Sequence, residues 1–233
     1  MIIKVLASSS EGNCYLISDG KTKLLIEAGI PFKVAQKALN FQVSGLSAVL
    51  ISHFHGDHSA YIRDFIKAGV DCYMLASTAK EKKVSGHRVK IIEAKKQFAV
   101  GSWSILPFDV VHDVECLGFL LASKDGEKLV YITDTPYCKY RFKGLDYILI
   151  EANYSERIIN QRKDNDPISI DMKRRIIKNH FSLENVKKFL QANDLSRVQS
   201  IYLLHLSDSN SNAQMFKREI QQITGKEVYI AKK

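Results

Sequence analysis

The stretch "LISHFHGDHSA", Leu50–Ala60, sets three histidines and an aspartate within six residues, directly after an apolar run. The whole chain has only seven histidines. A packed core gives no reason for such density, because each buried imidazole needs its own hydrogen-bond partner or a shifted pKa. A divalent cation does give one. In an extended loop His53 and His55, two apart, can converge on one ion. Asp57 and His58 are adjacent and can point to a second, and Gly56 lends the backbone freedom to turn between the two pairs. Imidazole mixed with carboxylate suits zinc, manganese or iron better than the hard oxygen sites of calcium.

Outward from this loop, "LSAVLIS" before it reads as a short buried strand, and Ser59–Ala68 as a helix with Ile62, Phe65 and Ile66 inward. The ligand-rich segment therefore joins a strand end to a helix start, where open α/β layers place their chemistry. Upstream, strands are expected near 2–7, 13–18 and 22–27, with "SDGK" at 18–21 as a hairpin turn. Pro31 suits the first turn of a helix running to about Asn40, with Val34, Ala35, Ala38 and Leu39 on one face. Downstream, short strands are expected at 72–75, 89–93, 97–100, 103–109, 117–123, 128–133, 145–150, 198–204 and 227–230. Helices are expected at 77–83, 154–162, 169–178, 182–193 and 210–223, the 182–193 helix capped by Ser182. Strands and helices are interspersed, which favours an α+β sheet-on-sheet core with helices outside.

Three of these strands end in further potential ligands: His112 closes "SILPFDVVH", Asp134 closes "KLVYITD" and His205 closes "SIYLLH". A lone histidine after an apolar run is ordinarily a core or capping residue, but that account would here have to hold several times independently. Five histidines and two aspartates could gather at one rim of the sheets. His87, in "SGHRVK", lies outside the pattern and reads as a surface residue.

The 233 residues, 45% of them hydrophobic, can bury a sizeable core as one compact unit, 1–233, without repeats or a linker rich in Pro or Gly. No apolar run approaches a membrane span, and the N-terminus is too short for a signal peptide and reads as a first strand. The four cysteines form no C-x-x-C pair, which fits reduced thiols in the cytoplasm. A formal charge of +9 ranks polyanions such as nucleic acid high among partners, although a solvated lysine surface explains it as well. Oligomeric state is not legible.

The H-x-H-x-D-H loop after a strand, followed by His112, Asp134 and His205 at strand ends, resembles the metallo-β-lactamase fold superfamily over essentially the whole chain. "SSSEGNCYLI" (8–17), "HDVECLGF" (112–119), "TDT" (133–135), "NHFSLENV" (179–186) and "HLSDSNS" (205–211) resemble its YycJ/WalJ (VicX)-like branch, associated with nuclease activity on DNA. The resemblance implies a four-layer αββα sandwich with a two-metal site at one edge of the sheets. It implies that His53, His55 and His112 hold one divalent transition-metal ion (zinc or manganese, with iron as a further option). Asp57, His58 and His205 would hold a second, bridged by Asp134. The chemistry so implied is phosphodiester hydrolysis, with a hydroxide on the ion pair attacking phosphorus in line and Asp57 and His180 as catalytic groups. His180 either orients the phosphate or protonates the leaving group, or is a helix-entry residue bonded to a carbonyl.

Three features depart from the family's habit: Glu27 stands where Asp is common, the first loop has fewer glycines, and Pro136 follows the TDT element. Ser10 and Asn13 could bind a substrate phosphate or form an ordinary polar turn, and Ser207 and Asn210 could position His205 or cap the last helix. Tyr137, Tyr140 and Phe142 interleave with Lys139, Arg141 and Lys143, either to stack on bases or as a turn with its rings tucked inward. A DNA exonuclease is the leading expectation. RNA processing or cyclic-nucleotide hydrolysis, a lactonase or thioester hydrolase, and a non-catalytic metal-stabilised binding protein are the alternatives.

Overall fold

A computed structural model describes residues 1–162 and 169–231 of the chain. These form two compact units, Met1–Asp109 with Leu117–Glu127, and Val110–Cys116 with Lys128–Ala231.

In the first unit six strands lie side by side in chain order: β1 (Ile2–Ser9), β2 (Gly12–Ser18), β3 (Lys23–Ile26), β4 (Leu46–Leu50), β5 (Cys72–Met74) and β6 (Val89–Ile91). β1 to β3 run antiparallel and β3 to β6 parallel. The hairpin expected at 18–21 joins β2 to β3. There Asp19 Oδ1 accepts from the Lys21 and Thr22 amides at 2.9 and 2.8 Å, and Gly20 takes a φ of 88°, open to glycine at little cost. Helices α1 (Phe32–Ala38), α2 (Gly56–Ser59), α3 (Ile62–Lys67) and α4 (Ala76–Glu81) link the parallel strands. The unit also carries β7 (Phe98–Val100), β8 (Trp103–Val110) and β9 (Cys116–Ser123), neighbours in that order.

Two details differ from the sequence reading. On α1, Val34 is 48% exposed, and the buried stripe runs through Ala35 and Leu39, with Phe32 edge-on to Phe65 at 4.9 Å. The helix expected over Ser59–Ala68 is interrupted, because the Tyr61 amide donates to the Ala28 carbonyl at 3.0 Å instead of continuing the turn. Ile62 and Phe65 are buried as expected.

In the second unit β10 (Lys128–Ile132), β11 (Tyr147–Glu151), β12 (Ser200–Leu204) and β13 (Glu227–Ile230) are parallel neighbours in that order. Every residue of β11, "YILIE", is buried, as expected of a parallel strand covered on both faces. Helices α5 (Glu156–Gln161), α6 (Ile170–Asn179) and α7 (Leu183–Gln191) lie between β11 and β12, and α8 (Ala213–Thr224) between β12 and β13. The helix expected at 154–162 is α5, and residues 163–168 after it lie outside the described residues. Ser182 caps α7 by accepting from the Asn185 amide at 3.1 Å, and Val186, Phe189 and Leu190 are buried, all as expected. The last helix begins later than residue 210. Its cap is Asn212, which accepts from the Met215 amide at 2.9 Å, and neither Ser207 nor Asn210 serves there.

Among the described residues no disulfide joins the four cysteines, and no helix is long and apolar enough to cross a membrane.

Candidate metal centre

In the first unit the histidine loop leaves the end of β4 and enters α2. His53 and His58 are fully buried, and the Asp57 side chain is 20% exposed. The rings of His53 and His55 lie 4.6 Å apart, and those of His53 and His58 lie 4.4 Å apart. The loop is less extended than expected. The His58 and Ser59 amides both donate to the His55 carbonyl, at 3.1 and 3.0 Å, so Asp57 and His58 sit on a helical turn. Gly56 opens that turn without a left-handed φ, and a Cβ there would meet nothing within 4 Å, so glycine's freedom is not what the loop draws on at that position.

The close approach is at Gly29 instead. A Cβ added there would lie 1.7 Å from the Asp57 carbonyl oxygen and 2.7 Å from the Asn13 amide nitrogen. Gly29 donates to the Asn13 carbonyl at 3.0 Å and the neighbouring Ala28 amide to the His58 carbonyl at 2.7 Å, so the backbone after β3 is clasped to the ligand turn. Gly29→Ala is expected to destabilise the protein by about 3 kcal/mol or more, a fall in Tm of about 6–12 °C, because backbone cannot yield as a side chain can. Gly45→Ala, where the added Cβ meets nothing, is the control and should melt near the parent in the same thermal scan.

Behind these histidines sit groups that hold them. Ser52 Oγ lies 2.8 Å from His53 Nδ1. Glu27, fully buried, places Oε1 3.4 Å from His58 Nδ1 while Oε2 accepts from the Ser52 amide at 3.3 Å. Burial, with the Glu27 charge adding to it, pushes the Cys14 thiol far up, so it stays protonated. Asn13 is buried and donates through Nδ2 to the Ser9 carbonyl at 3.0 Å and to Asp57 Oδ2 at 3.3 Å, while the Tyr15 hydroxyl donates to its Oδ1 at 2.9 Å. Its amide is thus engaged with the ligand turn. Ser10 lies exposed in the turn between β1 and β2.

The second unit gathers His112, Asp134, His180 and His205 with an unforeseen member, Glu151. Asp134, Glu151, His180 and His205 each offer a ligand atom, and these atoms all lie within 4.8 Å of one another. His180 Nδ1 is 2.7 Å from Glu151 Oε1 and 3.0 Å from Asp134 Oδ1, and His205 Nδ1 is 3.0 and 3.2 Å from the same two oxygens. Burial disfavours charge on both imidazoles, yet the two carboxylates outweigh it and raise both pKa values, so the rings are held protonated when no cation competes. The same histidines lower the Glu151 pKa against its own burial. Glu151 Oε2 also accepts from the Phe181 amide at 3.1 Å. The His112 ring lies 6.2 Å from that of His180, with Nε2 3.1 Å from Asp113 Oδ1. Asn153 donates to the His205 carbonyl at 2.9 Å, and the Ser207 hydroxyl accepts from Asn210 Nδ2 at 3.1 Å, so Ser207 and Asn210 shape the turn after His205. His87 is exposed, as expected.

Sequence reasoning missed Glu27 and Glu151 as members of these clusters. Both close apolar runs, "KLLIE" and "DYILIE", the same signal that picked out Asp134. Glu27, Asp134 and His205 share a backbone device as well. Each follows a strand with a left-handed φ, 69°, 48° and 51°, which costs a residue with a Cβ about 1–3 kcal/mol and persists where the surroundings enforce it. The donor sets, imidazole and carboxylate without thiolate, fit a divalent transition metal.

A family model described as "Beta-lactamase superfamily domain" matches residues 22–205. The chain is 32% identical over 224 residues to exodeoxyribonuclease WalJ of Streptococcus pneumoniae serotype 2 (strain D39), covering 89% of this chain and 82% of that protein. It is 27% identical over 238 residues to exodeoxyribonuclease YycJ of Bacillus anthracis, covering 94% and 87%. The crystal structure of the metallo-beta-lactamase fold protein YhfI from Bacillus subtilis matches with a TM-score of 0.74 at 18% identity, over 99% of this chain and 96% of that one. The fold is therefore the αββα sandwich expected from the sequence.

Proposed function

Since this chain belongs to the metallo-β-lactamase fold superfamily, in its YycJ/WalJ-like branch, and is a metal-dependent hydrolase, we propose that it is a DNA exonuclease working through two divalent ions, zinc or manganese, in the cytoplasm. The observation that carries this reading is the doubled arrangement of histidines backed by buried carboxylates, one set on the turn after β4 and one at the ends of β10, β11 and β12. His53, His55 and His112 would hold one ion and Asp57, His58 and His205 the other, with Asp134 shared between them. When bound, such an ion pair activates water at neutral pH and stabilises charge growing on phosphoryl oxygens.

The chain's own groups do the rest. Glu151, hydrogen-bonded to His205 Nδ1, fixes that ring's orientation and tautomer, so that Nε2 is the atom His205 offers to a cation, and Glu27 sets its negative charge beside His58 Nδ1. Ser52 Oγ, 2.8 Å from His53 Nδ1, holds the orientation of that ring. Asn13 keeps Asp57 aimed by donating to Oδ2. His180, its side chain 22% exposed and its Nδ1 2.7 Å from Glu151 Oε1 and 3.0 Å from Asp134 Oδ1, can bind the substrate phosphate or pass a proton to the leaving oxygen. The net charge of +9 favours capture of a polyanion.

The test is a time course on 5′- and 3′-end-labelled single- and double-stranded DNA, with matched RNA, in Mn²⁺, Zn²⁺ or chelator. Stepwise, chelator-sensitive loss from one DNA end is the expected result. No cleavage of any polymer, with turnover of a lactone or thioester instead, would overturn it.

A further inference from the structure

Residues 133–146, between β10 and β11, form no helix or strand. Segments this long without secondary structure are uncommon in compact domains and are usually functional. This one is pinned to α7 and the residues just after it: Asn185 Nδ2 donates to the Pro136 carbonyl at 3.0 Å, and Asn193 Oδ1 accepts from the Phe142 amide at 2.7 Å. Between the segment and α7 opens a pocket of about 240 Å³.

Three observations narrow its occupant. Lys139, Arg141 and Lys188 line it, and no carboxylate is among the described residues that do so. Aromatic rings share the walls: Tyr137, a large ring left 51% exposed, and Phe181, fully buried. Its volume falls below the roughly 300–1,000 Å³ of sites that enclose a whole small molecule, so it suits one unit of a longer ligand. A nucleotide, anionic at its phosphate and flat at its base, is such a unit.

The pocket also adjoins the ligand cluster along the chain at two points. Tyr137 lies three residues beyond Asp134, and Phe181 follows His180 directly, its amide held by Glu151 Oε2 at 3.1 Å. We propose that this pocket is a nucleotide-binding subsite, in which Tyr137 stacks on one base of the strand being cleaved while Arg141 and Lys188 meet its phosphate. The proposal rests on the nuclease reading and deepens it by placing the strand along the segment after Asp134. Stacking of this kind tolerates any base, so the subsite grips the strand without reading its sequence.

The experiment uses the full chain and a fluorescent single-stranded oligothymidylate, with anisotropy measured in chelator so that binding is read apart from turnover. Tyr137→Ala and Arg141→Ala are each expected to weaken binding about tenfold, and Tyr137→Phe to bind like the parent. With metal restored, the ratio of kcat/KM on DNA to that on bis(p-nitrophenyl) phosphate should fall about tenfold in both alanine variants. Oligonucleotide binding that is absent in the parent or unaffected by either alanine change overturns the proposal, as does an equal loss on DNA and on the small diester. A parent that binds the strand through these residues but degrades no DNA would instead overturn the exonuclease reading and leave the subsite standing.

Discussion

Asp57→Ala is expected to lower DNA turnover at least a thousandfold while leaving Tm within about 2 °C of the parent. The asymmetry follows from what each part of the residue touches. The backbone of Asp57 is structural: its carbonyl lies against Gly29, where even a methyl group would not fit. The side chain is 20% exposed, with Oδ2 3.1 Å from His58 Nε2 and accepting from Asn13 Nδ2 at 3.3 Å. Alanine keeps the helical turn and the clasp to Ala28 and Gly29, and removes only a carboxylate aimed at the proposed ion site. Initial rates on end-labelled DNA beside thermal melts check both halves, with metal content measured on the same samples. Full activity in the variant would sink the two-ion mechanism.

Glu151→Ala is expected to damage both stability and metal affinity. Glu151 is fully buried and serves three partners: His180 Nδ1 at 2.7 Å, His205 Nδ1 at 3.0 Å and the Phe181 amide at 3.1 Å. Removing one member of a buried ionic cluster leaves the others uncompensated, at a cost of about 3–5 kcal/mol. For a chain of this size that is a fall of about 6–20 °C in Tm of the metal-free protein. Affinity for Mn²⁺ or Zn²⁺ should drop about 10–100-fold, as when a carboxylate behind a metal-bound histidine is lost. Glu151→Gln separates the two effects. Its amide oxygen can still accept from Phe181, so Tm recovers in part, but its NH₂ meets the imidazole N–H groups and metal affinity stays low. Calorimetry and metal titration together read the pair, and an alanine variant that melts like the parent would show that Glu151 does not neutralise this cluster.

The ligand loop was legible because its signal is local. Core packing does not call for three histidines and an aspartate in six residues, whereas cation binding does, and the short apolar runs that set β4, β10 and β12 stand beside the residues they position. Ser182 and the buried face of α7 were legible for the same reason, since cap and stripe repeat within one or two turns. Val34 was misplaced because it flanks the apolar stripe of a short helix, and which flank is covered depends on neighbours outside α1.

The sequence by itself determined the element order, the strand-end placement of His112, Asp134 and His205, and the donor chemistry of the site, because periodicity and residue type act over a few neighbouring positions. Only the tertiary structure decided that Glu27 and Glu151 stand behind the histidines, that Gly29 must have no side chain, and that Glu27, Asp134 and His205 turn through left-handed backbone. Glu151 meets His180 and His205 across 29 and 54 positions of chain, and packing at that range is set by which strands pair and where each one ends.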